Sequence, residues 1–525
     1  MARLSDAPAQ VPVCPIPAVL ARMADNTRSR IVYRDASGVH SETYAGCYRK
    51  VQRLTRWFGD RGLRAGDPVA IHGETSYPWL LADLASSYLG LLSIALTPSI
   101  ASARALAILR ETGCRVALTD SPDHAAKLAA HGIEVLFLGD APPTGLDTLA
   151  AHLDDEPAEQ APVARVRPEF TVVSTSGTES EPKLFSVAAH PLLATMRQFQ
   201  ELYGLSSSDR LLVFLPMCHL PQRMLVYGSL DLEISLILSS PAHLVADCRD
   251  AGATVTVTVP RVIEHLDARI RAHGDRLTPR ALLGEQVRLI FVGSAPIRPA
   301  LFKRWKELGA PLFEVYGTTE LGMITLNRPG RERPGTVGAA IPWGDVVLAP
   351  DTQEILVRTP TPFLHGRFID GRLVAADHAE GAYHPTGDVG QIDDDGYIRI
   401  LGRLRDFVAL QSGVKVFVAE IEARVVDAGI APLCVLVGNG QRHLSALLFY
   451  PPDDDRLAHR DQLETRCIEL LRAMNQDAPA SAQIRSFVIC DEMPSVQNDC
   501  MTETQKLRRH RVVERFLGGH TPVKL

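Results

Sequence analysis

Residues 174–183 read Ser-Thr-Ser-Gly-Thr-Glu-Ser-Glu-Pro-Lys and follow an apolar, strand-like run directly. A loop crowded with hydroxyls around Gly177 can offer backbone N–H groups and hydroxyls to phosphate oxygens, with Lys183 as a nearby cation. The same make-up also serves an ordinary surface turn. A second run, Glu-Val-Tyr-Gly-Thr-Thr-Glu at 314–320, again follows a strand position. There Thr318 and Thr319 could bind phosphate while Glu320 holds Mg²⁺ through one carboxylate. A strand-to-helix turn with an N-capping threonine is the structural alternative.

Three further segments complete the set. In His-Pro-Thr-Gly-Asp-Val-Gly (384–390), Asp388 is expected in a tight turn, where its carboxylate could accept hydrogen bonds from two ribose hydroxyls. Acidic residues in glycine turns also serve structure alone. Residues 401–425 place Arg403 and Asp406 just before a strand, Gly413 in a turn, and a helix beginning near Ala419. Near the C-terminus, Lys506 stands just ahead of an amphipathic basic stretch, which by itself is also consistent with a solvated charged face.

Elements that could position these segments are visible in the hydrophobic pattern. From about residue 41 to 120, helix-like segments alternate with short apolar runs at 68–73 and 115–120, the signature of a parallel sheet. The apolar stretch 79–98 contains Asp83 and ends at a proline, so it predicts a buried helix followed by a buried strand, not a membrane span. Residues 141–168, rich in Pro, Ala and acids, read as a surface connection. A second α/β unit is expected from 170 to about 307, with a strand at 287–293 and a helix at 299–309. Residues 335–400 predict short antiparallel strands. The remainder mixes strands at 433–438 and 444–450 with helices.

Bulk properties exclude several classes. The chain has 525 residues, long enough for more than one domain, with 46% hydrophobic and 22% charged residues. The net charge is −6, so no global basic field exists to collect nucleic acid. Nine scattered cysteines form no metal-spaced cluster and are expected as reduced, mostly buried thiols of a cytoplasmic protein. No apolar leader is seen in the first 15 residues.

Taken in order and at these spacings, the five segments resemble the adenylate-forming (ANL) superfamily of acyl-CoA synthetases, carrier-protein adenylation domains and luciferases. Residues 76–98, 211–224, 257–266, 292–297 and 502–509 are similar to the long-chain acyl-CoA ligase branch. The resemblance implies a large N-terminal α/β domain of two sheet units plus a small β unit (1–402), followed by a small mobile α+β domain (403–525) hinged near Arg405. It implies activation of a carboxylate with ATP and Mg²⁺, then attack of the coenzyme A thiol on acyl-AMP. Thr175, Ser176, Gly177, Thr178 and Lys183 would form the phosphate loop, with Thr319 and Glu320 handling phosphate and Mg²⁺. Gly293, Ser294, Ala295, Pro296, Glu314, Val315, Tyr316, Gly317 and Thr318 would bind the adenylate. His219 and Val292 would line the acyl side, although His219 could equally be a satisfied core histidine. Asp388 with Arg403 would hold the ribose. Lys506 would neutralise charge as carboxylate and phosphate are pressed together. Gly413 would leave room for a pantetheine arm.

The loop departs from the superfamily pattern, Thr-Ser-Gly-Thr-Thr-Gly-x-Pro-Lys-Gly. Glu179, Ser180, Glu181 and Leu184 stand where it usually has Thr, Gly, any residue and Gly. Lost glycines restrict positive φ and close approach to phosphate. At ~5 Å and an effective dielectric of ~40, each carboxylate repels each nearby phosphate charge by roughly 1.5 kcal/mol. Acyl-AMP carries only one such charge. The expectation is therefore impaired adenylation with surviving thioester formation, and a separate adenylating enzyme as partner in a specialised biosynthetic pathway. Alternatives are a complete ATP-dependent ligase, transfer to a carrier-protein phosphopantetheine, and a non-enzymatic adenylate sensor or scaffold.

Overall fold

A strand buried on both faces needs helices above and below it, and the alternation of strands and helices supplies them. The computed structural model describes residues 14–154, 163, 169–175, 183–274, 277–360, 362–369, 371–375, 381–404, 406–495, 497–501, 507–517 and 522–525. The chain divides into two compact units. One is the chain up to Gly344 together with Thr359–Ala382, and the other is Asp345–Arg358 together with Tyr383–Leu525.

Among the described residues, the first unit contains two nine-stranded sheets with parallel centres, one extended by antiparallel strands at one edge and the other at both. In one, Glu169–Thr175, Leu92–Leu96, Pro68–His72, Val116–Thr119, Glu134–Phe137 and Asp147–Thr148 run parallel. Lys183–Ala188, Leu364–Ile369 and Arg372–Ala375 then extend it antiparallel. The other has Leu312–Thr318, Leu289–Val292, Val255–Thr258, Arg210–Val213, Ser235–Leu238 and Arg30–Asp35 in parallel order, with antiparallel Gly322–Leu326 and Ala339–Ala340 at one edge and Gly38–Thr43 at the other.

The apolar stretch 79–98 folds as expected, into the helix Tyr77–Tyr88 and the fully buried strand Leu92–Leu96. The helix starts at Ser76, whose hydroxyl accepts from Trp79 N at 3.3 Å, and every residue but Pro78 is buried. A helix apolar all round belongs inside a core, and this one lies in the cluster that joins both sheets. Its one charge is answered. Asp83 pairs with Arg223 of the helix Leu220–Asp231, and both side chains are almost wholly buried. Arg223 also donates to Thr171 Oγ1 and, at 2.8 Å, to Ser93 Oγ, while Tyr227 OH donates to Asp83 at 2.9 Å.

In the second unit, Asp345–Leu348, Glu354–Arg358, His384–Ile392 and Ile398–Arg403 form an antiparallel sheet. The hairpin Phe407–Ala409/Lys415–Phe417 and the helix Ala419–Asp427 follow. Leu433–Val437, Leu444–Phe449, Ile484–Cys490 and Val523–Lys524 make a mixed sheet, with the helix Arg460–Gln476 connecting its parallel pair. Strands expected between 335 and 400 are thus shared among three sheets. Residues 364–369 and 372–375 complete the edge left open by Lys183–Ala188, and 339–340 extend the other large sheet. The stretch 141–154 is more than a surface connection, since Asp147–Thr148 joins a sheet and Leu149 is buried. All nine cysteines are buried and unbridged, and no helix among the described residues is long and apolar enough to cross a membrane.

Candidate active site

Open α/β sheets bind ligands beyond the carboxyl ends of their parallel strands, where side chains and backbone N–H groups are released from the ladder. Three of the sequence-marked segments lie at that edge of one sheet. His219 precedes the helix Leu220–Asp231, which follows Arg210–Val213. Its carbonyl accepts from Gln222 N at 3.0 Å, and the residue is half-buried. Residues 293–297 follow Leu289–Val292, and 317–320 lie at the end of Leu312–Thr318.

Two restraints shape the first loop. Gly293 N donates to Thr258 O at 3.2 Å, and a Cβ added at Gly293 would stand 3.0 Å from Val315 O. Ser294 has φ of 68°, a left-handed conformation uncommon outside glycine, and with Ala295 and Pro296 it is exposed. Val292 beneath it is buried. Glu314 is buried too, and its Oε1 accepts from Ile297 N at 3.2 Å. Burial pushes its carboxyl up to about 8.

The run 314–320 turns between two strands, not from a strand into a helix. Leu312–Thr318 pairs antiparallel with Gly322–Leu326, and Thr318 Oγ1 accepts from Leu321 N at 3.1 Å. Val315 and Tyr316 are buried, whereas Gly317 and Glu320 are exposed, with Thr318 and Thr319 between. Glu320 O accepts from Leu364 N at 2.9 Å, and Phe363 O accepts from Ala188 N at 3.2 Å. A Cβ at Gly322, whose φ is 78°, would lie 2.4 Å from the Phe363 ring. The short segment 363–364 therefore ties the Glu320 turn to the strand that begins at Lys183. Nothing in its composition marks it; only the tertiary pairing does.

Thr175 and Lys183 face each other in register at the ends of Glu169–Thr175 and Lys183–Ala188, as a loop between them requires. Ser176, Gly177, Thr178, Glu179, Ser180 and Glu181 lie outside the described residues, as do Arg405 and Lys506. Leu184 calls for a correction. It is an ordinary strand residue, 1% exposed, in a core cluster with Ile94, Val172 and Phe368. Its side chain is absorbed by the core and does not crowd a phosphate.

Asp388, in the second unit, is also corrected. It sits within the strand His384–Ile392, opposite Arg403, not in a tight turn. Gly387 with φ of 74° and a register shift at Val389/Gly390 bend the strand there, which is what the glycine spacing signals. Asp388 Oδ1 lies 2.9 Å from Arg403 Nε, and the carboxylate is buried while the guanidinium is half exposed. Gly413 occupies the hairpin turn as expected, with φ of 83° and open space around the missing Cβ.

Among the described residues no group of three His, Cys, Asp or Glu could hold a metal. The donors around Glu320 fit Mg²⁺ in another way. One exposed carboxylate beside two threonine hydroxyls suits a hard cation that keeps its waters and is shared with phosphate oxygens.

Residues 20–361 match the model of the AMP-binding enzyme family, and residues 405–518 match that of the AMP-binding enzyme C-terminal domain. The chain belongs to the AMP-binding enzyme family. This adenylate-forming superfamily member is 25% identical to the long-chain-fatty-acid–CoA ligase FadD15 of Mycobacterium bovis over 87% of each chain. It is 23% identical to the 2-succinylbenzoate–CoA ligase of Bacillus licheniformis over 80% of this chain and 88% of that one. Its fold is that of o-succinylbenzoate CoA synthetase from Bacillus subtilis with bound acyl-adenylate, with a TM-score of 0.78, 19% identity, and 97% and 99% of the two chains covered.

Proposed function

We infer that this AMP-binding enzyme is an acyl-CoA ligase competent mainly in the second half of the reaction, in which coenzyme A attacks a supplied acyl-adenylate. The thiol sulfur bonds to the acyl carbon, the carbon–oxygen bond to phosphate breaks, and AMP leaves with the electron pair. Several curated relatives that it resembles are CoA ligases, which supports the class. They act on acids as different as fatty acids, succinylbenzoate and indoleacetate, so the acid is stated only as a carboxylic acid.

The observation that carries the half-reaction is the sequence Glu179-Ser180-Glu181 in the phosphate loop. With Leu184 absorbed by the core, what remains is charge at 179 and 181 and a lost glycine at 180. Two carboxylates oppose a triphosphate far more than the singly charged phosphate of an acyl-adenylate. The adenylate would be held by residues 293–296 and 315–319, its ribose by Asp388 and Arg403, and its acyl group beside His219, above the fully buried Val292. The buried Glu314 is turned to Ile297 and not to the ligand. Glu320 would share Mg²⁺ with the phosphates when the cation is bound. Rotation about Arg405 would move residues 403–525 relative to 1–402 and bring Gly413 to the thiol path in place of Lys506. A separate adenylating enzyme would supply the acyl-AMP, and the thiol acceptor would be free coenzyme A.

The second reading, a complete ATP-dependent ligase, draws on Thr178, Lys183 and Lys506, all retained. Two assays separate them: pyrophosphate exchange with candidate acids, and coenzyme A consumption with the matching synthetic acyl-AMP. The expected result is weak exchange with brisk consumption. Robust exchange would sink the half-reaction reading. Glu179→Thr with Ser180→Gly should raise exchange by on the order of 10-fold or more if loop charge and shape are the cause.

A further inference from the structure

The loop at 293–297 is held at both ends, and the two fastenings differ in kind. At its start the backbone of Gly293 bonds to Thr258 O and lies so close to Val315 that a side chain would meet Val315 O at 3.0 Å. At its end the neighbouring strand fastens it through a side chain. Glu314 stands beside Val292 in register and reaches forward to accept the Ile297 N–H at 3.2 Å. Between these points Ser294 adopts φ of 68°, and Ser294, Ala295 and Pro296 are exposed. A left-handed non-glycine residue persists only where its surroundings over-determine it.

Glu314 is itself anchored from behind. Asn327 donates to Glu314 O through its backbone N at 3.0 Å and its side-chain Nδ2 at 3.3 Å, and Nδ2 also donates to Thr336 O at 3.0 Å. The carboxyl therefore projects from a fixed strand, at 3% residue exposure, onto the underside of the loop. An isolated buried carboxylate is costly, and an apolar residue would fill the same space without that cost. What a carboxyl supplies and a leucine lacks is the acceptor for Ile297.

We propose that Glu314 is a positioning residue that fastens the far end of loop 293–297 from beneath, fixing Ser294, Ala295 and Pro296 in the shape that lies against the adenylate. The proposal rests on the reading that this loop faces the adenylate. The buried acid keeps its proton at neutral pH, so the fastening adds no negative charge beneath an anionic ligand.

The test uses the full chain as wild type, Glu314→Gln and Glu314→Leu, with AMP as the probe. Glutamine keeps an acceptor oxygen in the same place, whereas leucine removes it. Two measurements are made: hydrogen exchange of the Ile297 amide without ligand, and the Kd for AMP. Leucine should speed exchange at Ile297 and weaken AMP binding roughly 10-fold, while glutamine keeps exchange slow and Kd within about 3-fold of wild type. Unchanged protection of Ile297 in the leucine variant overturns the proposal. So does faster exchange with undiminished AMP affinity, since the loop would then be fastened for something other than the nucleotide. Absence of AMP binding by the wild type would refute the wider functional reading instead, and the exchange measurement would still decide whether Glu314 fastens the loop.

Discussion

Arg223→Met, Asp83→Leu and the double variant form a cycle that tests how the two large sheets of the first unit are held together. Arg223 donates twice to Asp83, once to Thr171 Oγ1 and once to Ser93 Oγ, in a space where the two charged side chains are 1% and 2% exposed. Methionine keeps much of the volume of the Arg223 stem but leaves the buried Asp83 carboxylate with the neutral Tyr227 hydroxyl in place of its counter-charge. An uncompensated buried charge of this kind costs about 3–5 kcal/mol. In the double variant the charge is gone. Thr171 Oγ1 keeps its bond to Ser93 O at 2.9 Å, and Tyr227 OH keeps Ser87 Oγ at 2.8 Å. The double variant should therefore recover to within about 2 kcal/mol of wild type. A two-unit chain need not unfold in one step, but all four tryptophans (57, 79, 305 and 343) lie in the first unit, so their fluorescence in a urea titration reports that unit alone. A double variant as unstable as Arg223→Met would refute the idea that a stranded charge, and not lost packing, sets the cost.

Glu314 should make the stability of the first unit depend on pH. Its carboxyl titrates near 4.5 when unfolded and near 8 when folded, so the folded state keeps a proton that the unfolded state has lost, and stability falls as pH rises through that window by at most about 5 kcal/mol. The difference between wild-type and Glu314→Gln urea midpoints, followed by tryptophan fluorescence, should show this slope below about pH 8 and level off above it. Gly322→Ala places a methyl 2.4 Å from the Phe363 ring at a φ of 78°, and should lower the unfolding free energy read from the same titration by about 2 kcal/mol or more and impair any reaction that uses Glu320. Asp388→Asn should weaken AMP binding roughly 10-fold in calorimetry, since the Arg403 pair loses its charge and the ribose a carboxylate. Gly413→Ala meets nothing within 4 Å, so its structural cost is only that of its positive φ. A much larger loss of rate with coenzyme A than of acyl-AMP binding would place the thiol path beside it.

Much of the fold was legible because periodicity and burial agree locally. The helix Tyr77–Tyr88, the strand Leu289–Val292 and the start of the helix Ala419–Asp427 stand where their patterns put them. Sheet membership was not legible. Nothing within Leu364–Ile369 says that it pairs with Lys183–Ala188 and not with the strands beside it in sequence. The two local misreadings share a cause, because a residue type was taken for its usual context. Gly387 before Asp388 suggested a turn, yet a glycine at positive φ can equally bend a strand. Leu184 in place of glycine suggested obstruction, yet a strand residue alternates sides and this one points into the core. Asp83 inside an apolar run was the better clue, since a charge there needs a buried partner, although only the folded chain identifies Arg223.

The chain leaves the first unit after Gly344, returns for Thr359–Ala382 and leaves again. On a ribosome this means that Lys183–Ala188 emerges long before its outer neighbour Leu364–Ile369. At ordinary elongation speeds the interval is roughly 10 to 40 s, during which a hydrophobic sheet carries a bare hydrogen-bonding edge. A nascent chain in that state invites pairing with its neighbours on a polysome. Truncations ending near residue 344 would make that transient exposure permanent, so a soluble first unit should be sought by joining 359–382 back to it, not by a single cut.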